Sequence, residues 1–278
     1  MKQLLPFVLL GFSLSFSTFG FSQDKKSGAG IAVSPTHLHF RVKPGEQSSQ
    51  KITVNNDTDV PNSFRIKVQD FEMETDGGSV FKTAGTGSHS LSKFLSATPS
   101  FVELRPGEKK EIIINVNVPF DDPQSNKASW CVLMIEQAAP KKQLDPASQS
   151  GNTIALGVIP TFAFGVWVYQ NPPNVDNNAV EIMDFKVFPR GDKNFIQLDA
   201  ENKGDGIAMC RTRVELVNTT TGAGQKLPLK NFTIIPGLKR EFKFVLPPDL
   251  PAGKYTAIGI VDYGSNEEIL TAELEFEY

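Results

Sequence analysis

Apolar and polar residues alternate along most of this chain in many short runs, which are separated by Pro, Gly, Asn and Asp. A period of two is the pattern of half-buried β-strands, whereas amphipathic helices repeat their apolar residues every three to four positions. No long segment of the chain has the helical spacing. The sequence therefore predicts an all-β protein.

The predicted strands form two groups of seven, and seven strands are the size of one immunoglobulin-like sandwich. The first group lies near 31–42, 50–55, 64–71, 101–104, 111–118, 130–136 and 154–169. The second group lies near 180–189, 195–202, 209–218, 232–235, 241–246, 255–262 and 269–276. A Pro- and Asn-rich joint separates the groups. We predict two immunoglobulin-like β-sandwich domains in tandem, 28–171 and 179–278, with a linker at 172–178.

A weak internal repeat supports two copies of one fold. The segments 106–114 and 236–244 each begin with a Pro-Gly turn and continue as an alternating strand. The first copy also contains an insertion, 72–97, in which Asp76, Gly77 and Gly78 predict a hairpin turn.

The first residues have the form of a secretory signal peptide. Lys2 precedes an apolar stretch, 4–21, and the small residues Gly20 and Ser22 suit cleavage after Ser22. No Cys lies near this junction, and no later apolar run is long enough to span a bilayer. We therefore expect a signal peptide at 1–22 and a soluble exported protein, with no lipid anchor and no direct membrane insertion.

Composition excludes several function classes. The 28 basic and 31 acidic residues are interspersed, with a net charge of −3, so nucleic acid and anionic lipid are not expected partners. The sequence has no phosphate-binding loop, nucleophile elbow or paired-cysteine metal motif. We expect no catalytic residues, no cofactor and no metal. Cys131 and Cys210 are interpreted as buried free thiols, and the alternative is a bridge between the two domains.

The segment 154–169 is the most distinctive strand. Its even-numbered residues are almost all large and apolar, whereas the opposite face is mostly small as far as Gly165. Fully extended it would span ~50 Å, well beyond the usual ~17–20 Å. Pro160 has no N–H and favours a sheet edge. One interpretation makes 162–169 core and 154–158 a docking edge, and the other makes the whole strand core. The residues predicted to bind a partner are Ile154, Leu156, Val158 and Phe162.

The first domain resembles the PapD-like periplasmic pilus chaperones over most of 31–172. The similarity begins with Val-Ser-Pro-Thr-His-Leu-His-Phe and ends with Val-Tyr-Gln-Asn-Pro. The order and spacing of the matching segments carry it, and these segments are 33–40, 54–56, 98–108, 130–136 and 168–172. The second domain matches that family only in general style.

The resemblance implies a periplasmic chaperone. In that family two immunoglobulin-like domains meet at an angle, and the last strand of the first domain lends alternating apolar side chains to an incomplete partner subunit. This donor-strand complementation implies exported or outer-membrane protein subunits as partners. The family also anchors its client's carboxylate with two cations in the cleft between the domains. Those positions fall at His37 and Val166 here, where a histidine partly replaces a cation and a valine cannot.

Two functions follow, and they differ in what happens to the partner. A chaperone releases its client, whereas a permanent structural subunit of an outer-membrane secretion or adhesin-assembly complex, of a type IX-like kind, keeps its partner. A homodimer through edge strands is a further alternative. His37 and His39 share one face of a strand, but the only other histidine, His89, lies in a distant loop, so we assign His37 to the cleft rather than to a metal site.

Overall fold

The structure, a computed structural model, describes residues 30–138, 161–175, 179–265 and 268–278. In those ranges the regular elements are eighteen β-strands and one short 3-10 turn. The prediction of an all-β protein built from two immunoglobulin-like β-sandwich domains is confirmed. No helix in those ranges has both the length and the apolar content needed to cross a bilayer.

The first sandwich contains ten strands in two sheets. One sheet has the order β1-β3-β8-β6, and the other has the order β2-β10-β9-β4-β5, with β7 also paired to β4. The strands are β1 (Ile31–Ser34), β2 (His37–Phe40), β3 (Gln47–Asn56), β4 (Asn62–Met73), β5 (Ser79–Lys82), β6 (Leu95–Thr98), β7 (Phe101–Leu104), β8 (Lys109–Asn117), β9 (Ser129–Gln137) and β10 (Ala163–Gln170), and the 3-10 turn is Pro123–Asn126.

The second sandwich contains eight strands. One sheet has the order β11-β12-β16, and the other has the order β14-β13-β17-β18, with β15 also paired to β13. The strands are β11 (Val180–Arg190), β12 (Lys193–Asn202), β13 (Ala208–Asn218), β14 (Gly224–Lys226), β15 (Lys230–Ile234), β16 (Lys239–Val245), β17 (Lys254–Asp262) and β18 (Leu270–Glu277).

Each sandwich has its own apolar core, which is filled by alternate residues of the strands. In β8, for example, Ile112, Ile114 and Val116 are fully buried, whereas the residues between them face outward. This alternation is the period of two in the sequence, because successive side chains of a strand point to opposite faces.

The predicted strand 31–42 is two strands. Residues Ile31–Ser34 pair with β3 in one sheet, and His37–Phe40 pair with β10 in the other sheet. Pro35 lies between them and has no N–H for a sheet ladder, so the strand breaks there. The first strand of the domain therefore changes sheets at this residue.

The internal repeat is visible in two equivalent asparagines. Asn56 ends β3, and its backbone C=O accepts a hydrogen bond from Gly107 at 2.7 Å. Asn202 ends β12, and its C=O accepts from Gly237 at 2.9 Å. Both side chains are fully buried and donate to carbonyl oxygens of the strand that precedes the Pro-Gly turn. The two Pro-Gly turns are thus held in the same way in both domains.

The insertion is ordered by a buried carboxylate. Asp70 accepts hydrogen bonds from the Ser90 hydroxyl at 2.7 Å and from the Gly87 N–H at 2.9 Å. The predicted hairpin turn is also present, because β4 and β5 pair and the Gly77 N–H bonds to the Glu74 C=O at 2.9 Å.

A third apolar cluster lies where the two sandwiches meet. Tyr169, Trp130 and Phe71 from the first sandwich pack with Ile207 and Ile235 from the second. The tip of the β4–β5 hairpin adds to this joint, as shown by the backbone N–H of Glu241 in β16, which donates to the C=O of Thr75 at 2.8 Å.

Arg240 fastens the same joint by its side chain. Its guanidinium contacts the Met73 sulfur at 3.1 Å and donates to the C=O of Thr233 at 3.1 Å. It also lies over the Phe232 ring, 5.6 Å from the centroid. The hairpin that the sequence marked as an insertion therefore braces the second domain against the first. The linker at 172–178 stays a prediction, and 176–178 lie outside the described residues.

Candidate protein-binding edge

β10 is paired along its whole length on one side and along half of it on the other. It pairs antiparallel with β9 from Ala163 to Gln170. On its second side it pairs parallel with β2, but only from Trp167 to Gln170. Among the described residues, no strand lies beside Ala163–Val166 on that side.

The open position beside β10 results from the change of sheet at Pro35. Had the first strand continued straight, residues before His37 would have paired with the first half of β10. Instead these residues form β1, which pairs with β3 in the opposite sheet. Among the described residues, the edge of β10 is therefore unpaired because the chain changes sheets before His37.

The hydrogen-bond alternation identifies which backbone groups are open. The Gln137 N–H donates to the Phe162 C=O at 2.8 Å, so even-numbered residues of β10 turn their polar groups toward β9. Odd-numbered residues turn the other way, as the bond from Trp167 N–H to Thr36 C=O at 2.9 Å shows. The N–H and C=O groups of Ala163 and Gly165 thus point to the open side.

An incompletely covered part of the core lies next to this edge. Val166 and Val168 are fully buried, whereas Phe164 is only half-buried and touches Phe64 edge-on, with 6.5 Å between ring centroids. Across the sandwich, Ile31 and Val33 of β1 are also only partly buried. We call the gap between β1 and the first half of β10 the open seam.

The two interpretations of 154–169 can be compared with the structure only from residue 161 onward. Both interpretations place 162–169 in the core. This is correct from Phe164 onward, because the even-numbered residues of β10 face the sandwich interior. Phe162 differs, since it is 64% exposed at the end of the open edge. Ile154, Leu156 and Val158 lie outside the described residues, so their predicted role in binding stays a prediction.

The outer face of β10 carries an aromatic ladder. His37 stacks on Trp167 with centroids 5.4 Å apart, and His39 stacks on Tyr169 at 5.2 Å. The Trp167 indole folds back over Gly165, where an added Cβ would lie 3.2 Å from it. A larger residue at Gly165 would therefore need the Trp167 indole to shift by a few tenths of an ångström.

His37 lies in a cleft of about 610 Å³ between the two sandwiches. His39, Tyr169, Met209 and Arg211 also line this cleft. Burial lowers the pKa of His37 and His39, and the neighbouring His37 lowers the pKa of His39 further. His37 occupies the cleft as predicted by position, but its role there stays a prediction.

Val166 is fully buried in the first core, so its side chain does not reach the cleft. Val166 therefore supplies no cationic anchor for a carboxylate, and whether His37 takes part in such anchoring stays a prediction.

The two cysteines are poor nucleophiles. Both are buried and unpaired. Burial raises the pKa of Cys131 well above its ordinary value, and it raises the pKa of Cys210 to about 12. Since the thiolate is the reactive form, neither side chain is suited to covalent chemistry at neutral pH.

The sequence missed the two residues whose backbone forms the open edge. Ala163 and Gly165 attracted notice only as small residues on the face opposite the apolar one. Their place at an edge depends on which strand fails to lie beside them, and that is set by the break at Pro35, far away in the sequence. Pro35 was the one local sign that could have revealed it.

No family model matches the chain, and no curated protein matches it. Among the solved structures that match are several chaperones and a PapD-like domain of human CEP192. They include the YadV chaperone (12% identity, TM-score 0.45, 88% of this chain and 99% of that chain) and the E. coli chaperone DraB (17%, 0.42, 88% and 98%). A class 5 fimbriae chaperone, CfaA, matches with 14% identity and a TM-score of 0.43 over 88% and 98% of the two chains. At identities of 12–17% and TM-scores of 0.42–0.45, these matches do not assign a function to this chain.

Proposed function

We propose that this chain is a non-enzymatic periplasmic protein of the PapD-like chaperone type, which binds exported or outer-membrane protein subunits by strand addition. The partner strand would lie beside Ala163–Val166, in the position that β2 occupies farther along β10. The observation that carries the proposal is the unpaired half of β10 next to an incompletely covered core.

Both parts of that observation favour an extended partner. The open N–H and C=O groups of Ala163 and Gly165 provide a ladder that any strand can complete, and strand addition at a sheet edge is a common mode of peptide recognition. The open seam provides selectivity, because alternate apolar side chains of the partner would cover Phe164, Ile31 and Val33. Burying each large side chain contributes ~1.5–3 kcal/mol.

Site-specific photo-cross-linking tests the proposal. A photoreactive phenylalanine analogue at Phe162, beside the edge, should give a discrete adduct with an exported subunit in periplasm. The same analogue at Phe120, which is 77% exposed but remote from the edge, is the matched control and should give none. An equal yield from both positions would contradict binding at β10.

A second variant separates strand addition from contact by proximity. Ala163→Pro removes an N–H that points to the open side and leaves the bonds to β9 intact. We expect the adduct from Phe162 to disappear in a folded Ala163→Pro protein. If the adduct persists undiminished, the partner does not use the backbone of β10, and the proposed mechanism is wrong.

A further inference from the structure

β18 (Leu270–Glu277) is a second sheet edge, and it belongs to the second domain. It pairs with β17 on one side, and among the described residues no strand pairs with its other side. The Tyr278 and Gly253 backbones exchange two hydrogen bonds of 2.9 Å, so even-numbered residues turn their polar groups toward β17. The outward-pointing backbone groups are those of Thr271, Glu273, Glu275 and Glu277.

The inner face of this edge is incompletely covered. Leu270, Leu274 and Phe276 pack against the second core but are only partly buried. β11 lies next to β18 at this side of the sandwich, and its Ile182 and Val187 are also only partly buried. A strand added to β18 would cover these side chains as well as complete the ladder.

On the outer face, the charged side chains of β18 itself are all acidic, and the neighbouring β17 places Lys254 opposite Glu277. Glu273, Glu275 and Glu277 are exposed and share this face. None of them forms an ion pair within the part of the chain that the structure describes. Like charges repel at this spacing, and basic side chains on an added strand would relieve the repulsion.

This charge pattern decides what the edge can bind. In a two-fold pairing of β18 with a second copy, Glu275 faces its own copy and Glu273 faces Glu277. Such directly opposed like charges are destabilising, so self-association through this edge is disfavoured. We infer that β18 is a second strand-addition surface, whose partner is an extended basic segment of another protein, with Lys or Arg alternating with apolar residues. This surface is independent of the one at β10.

The probe is a labelled peptide in which lysine and valine alternate, titrated into the purified chain by fluorescence anisotropy. Two control peptides isolate the two requirements. In one, glutamate replaces lysine, and in the other the same lysines and valines stand in two blocks. We expect saturable binding of the alternating basic peptide alone. Equal binding of the block peptide would show charge attraction without strand addition and would overturn the inference.

Variants of Glu275 separate the contribution of its backbone N–H to peptide binding from the contribution of its charge. Glu275→Gln removes one charge but keeps the outward N–H, and should weaken binding about fivefold or less. Glu275→Pro also removes the N–H, on the side where an edge strand tolerates proline, and should weaken binding at least about tenfold. Glu273→Pro makes the same test if Glu275→Pro does not fold. Equal affinities for folded Pro and Gln variants would overturn the inference.

Charge reversal provides the last control. Glu273→Lys with Glu275→Lys should abolish binding of the basic peptide and favour the acidic one. Glu103→Lys with Asp121→Lys changes the net charge equally at exposed positions of the first domain and should leave binding unchanged. Ala163→Pro should also leave it unchanged, so failure here is distinguishable from failure at β10. A larger particle in light scattering without peptide, lost in Glu275→Pro but kept in Ala163→Pro, would show a homodimer through β18 instead and would contradict the inference.

Discussion

At the scale of single residues, the buried asparagines are the most demanding positions. The Asn56 side-chain amide donates to the carbonyls of Val60, Leu104 and Arg105, and its oxygen accepts from the Thr58 hydroxyl. A buried acceptor that loses its donor costs about 1–3 kcal/mol. The Asn56 side chain therefore holds the Pro-Gly turn against the end of β3.

We expect Asn56→Ala to lower the free energy of unfolding by about 1–3 kcal/mol, because the buried carbonyl of Leu104 loses the amide as a donor. Asn202→Ala should have a similar effect in the second domain, where the amide donates to Gly206 and Ile234. Urea denaturation followed by circular dichroism measures both. A loss below about 0.5 kcal/mol for either variant would contradict this account of the repeat.

The two cleft histidines predict a pH dependence of stability. Burial lowers the pKa of His37 and His39 in the folded chain below the ordinary value of 6.5. The folded chain then binds these protons less tightly than the unfolded chain does. Stability should fall as the pH drops below 6.5 and should level off below the lowered folded-state values.

The check is the thermal midpoint, Tm, of the chain and of a His37→Gln, His39→Gln double variant between pH 7.5 and 5. This pH range lies on both sides of the ordinary histidine pKa of roughly 6.5. The variant should lose part of the decrease in Tm that the parent chain shows. An identical decrease in both proteins would mean that other groups cause it.

At the scale of elements, the structure makes a sharp distinction between neighbouring residues of β10. Ala163→Pro should leave Tm nearly unchanged, because the lost N–H points to the open side. Phe164→Pro should lower the free energy of unfolding by at least about 2 kcal/mol more than Phe164→Ala does, because it removes a bond to β9. Thermal unfolding of the three variants tests this, and equal effects of proline at both positions would show that the assigned alternation is wrong.

The sequence predicted most elements correctly because their alternation is strong. All seven strands predicted in the second domain are present, with ends shifted by a few residues. The short strand β14 escaped notice, since Gly224–Lys226 has only three exposed residues and no apolar pattern. In the first domain, β5 and β6 fell in the predicted insertion, and each is only four residues long.

The open edge could not be predicted in the same way. Periodicity shows which face of a strand is apolar, but it does not show which strand lies beside it. Phe164 and Val166 were recognised as apolar from their spacing, and the structure places them toward the core. Among the described residues, Ala163 and Gly165 lack a neighbour because β2 begins to pair with β10 only at His37 and Trp167, which are more than a hundred residues apart in the sequence.

At the scale of the whole molecule, β10 links the proposed binding edge to the joint between the sandwiches. Its first half carries the open edge, and Tyr169 near its end is buried in the joint. Gln170 then fixes Val42 through two hydrogen bonds of 3.1 and 2.6 Å. Asn171 accepts a bond of 3.1 Å from the Ile207 N–H of the second domain. A partner bound at the edge would therefore lie on a strand held at its other end by both domains.

The hairpin brace predicts how the domains unfold. Arg240→Ala removes the contacts to Met73 and Thr233 and should weaken the coupling between the sandwiches. We expect calorimetry to show one transition for the parent chain and two separated transitions for the variant. Arg213→Ala, an exposed arginine that contacts Glu215 within the second domain, is the matched control. A single transition for Arg240→Ala would show that the apolar cluster alone couples the domains.

The fate of the partner separates a releasing chaperone from a permanent subunit. In a pulse-chase with the photoreactive analogue at Phe162, samples are irradiated at successive times, and a chaperone should give less adduct at later times as the subunit is released and assembled. An adduct that persists and co-purifies in fixed ratio with an outer-membrane complex would contradict release.

Amide hydrogen exchange of β10, resolved by NMR in the free chain, tests the central claim most directly. The account predicts that the amides of Ala163 and Gly165 exchange at least about tenfold faster than those of Phe164 and Val166, since only the latter bond to β9. Adding the cross-linked partner's strand as a peptide should then protect Ala163 and Gly165. Slow exchange of both amides in the free chain would show that the position beside β10 is already filled and would contradict the account.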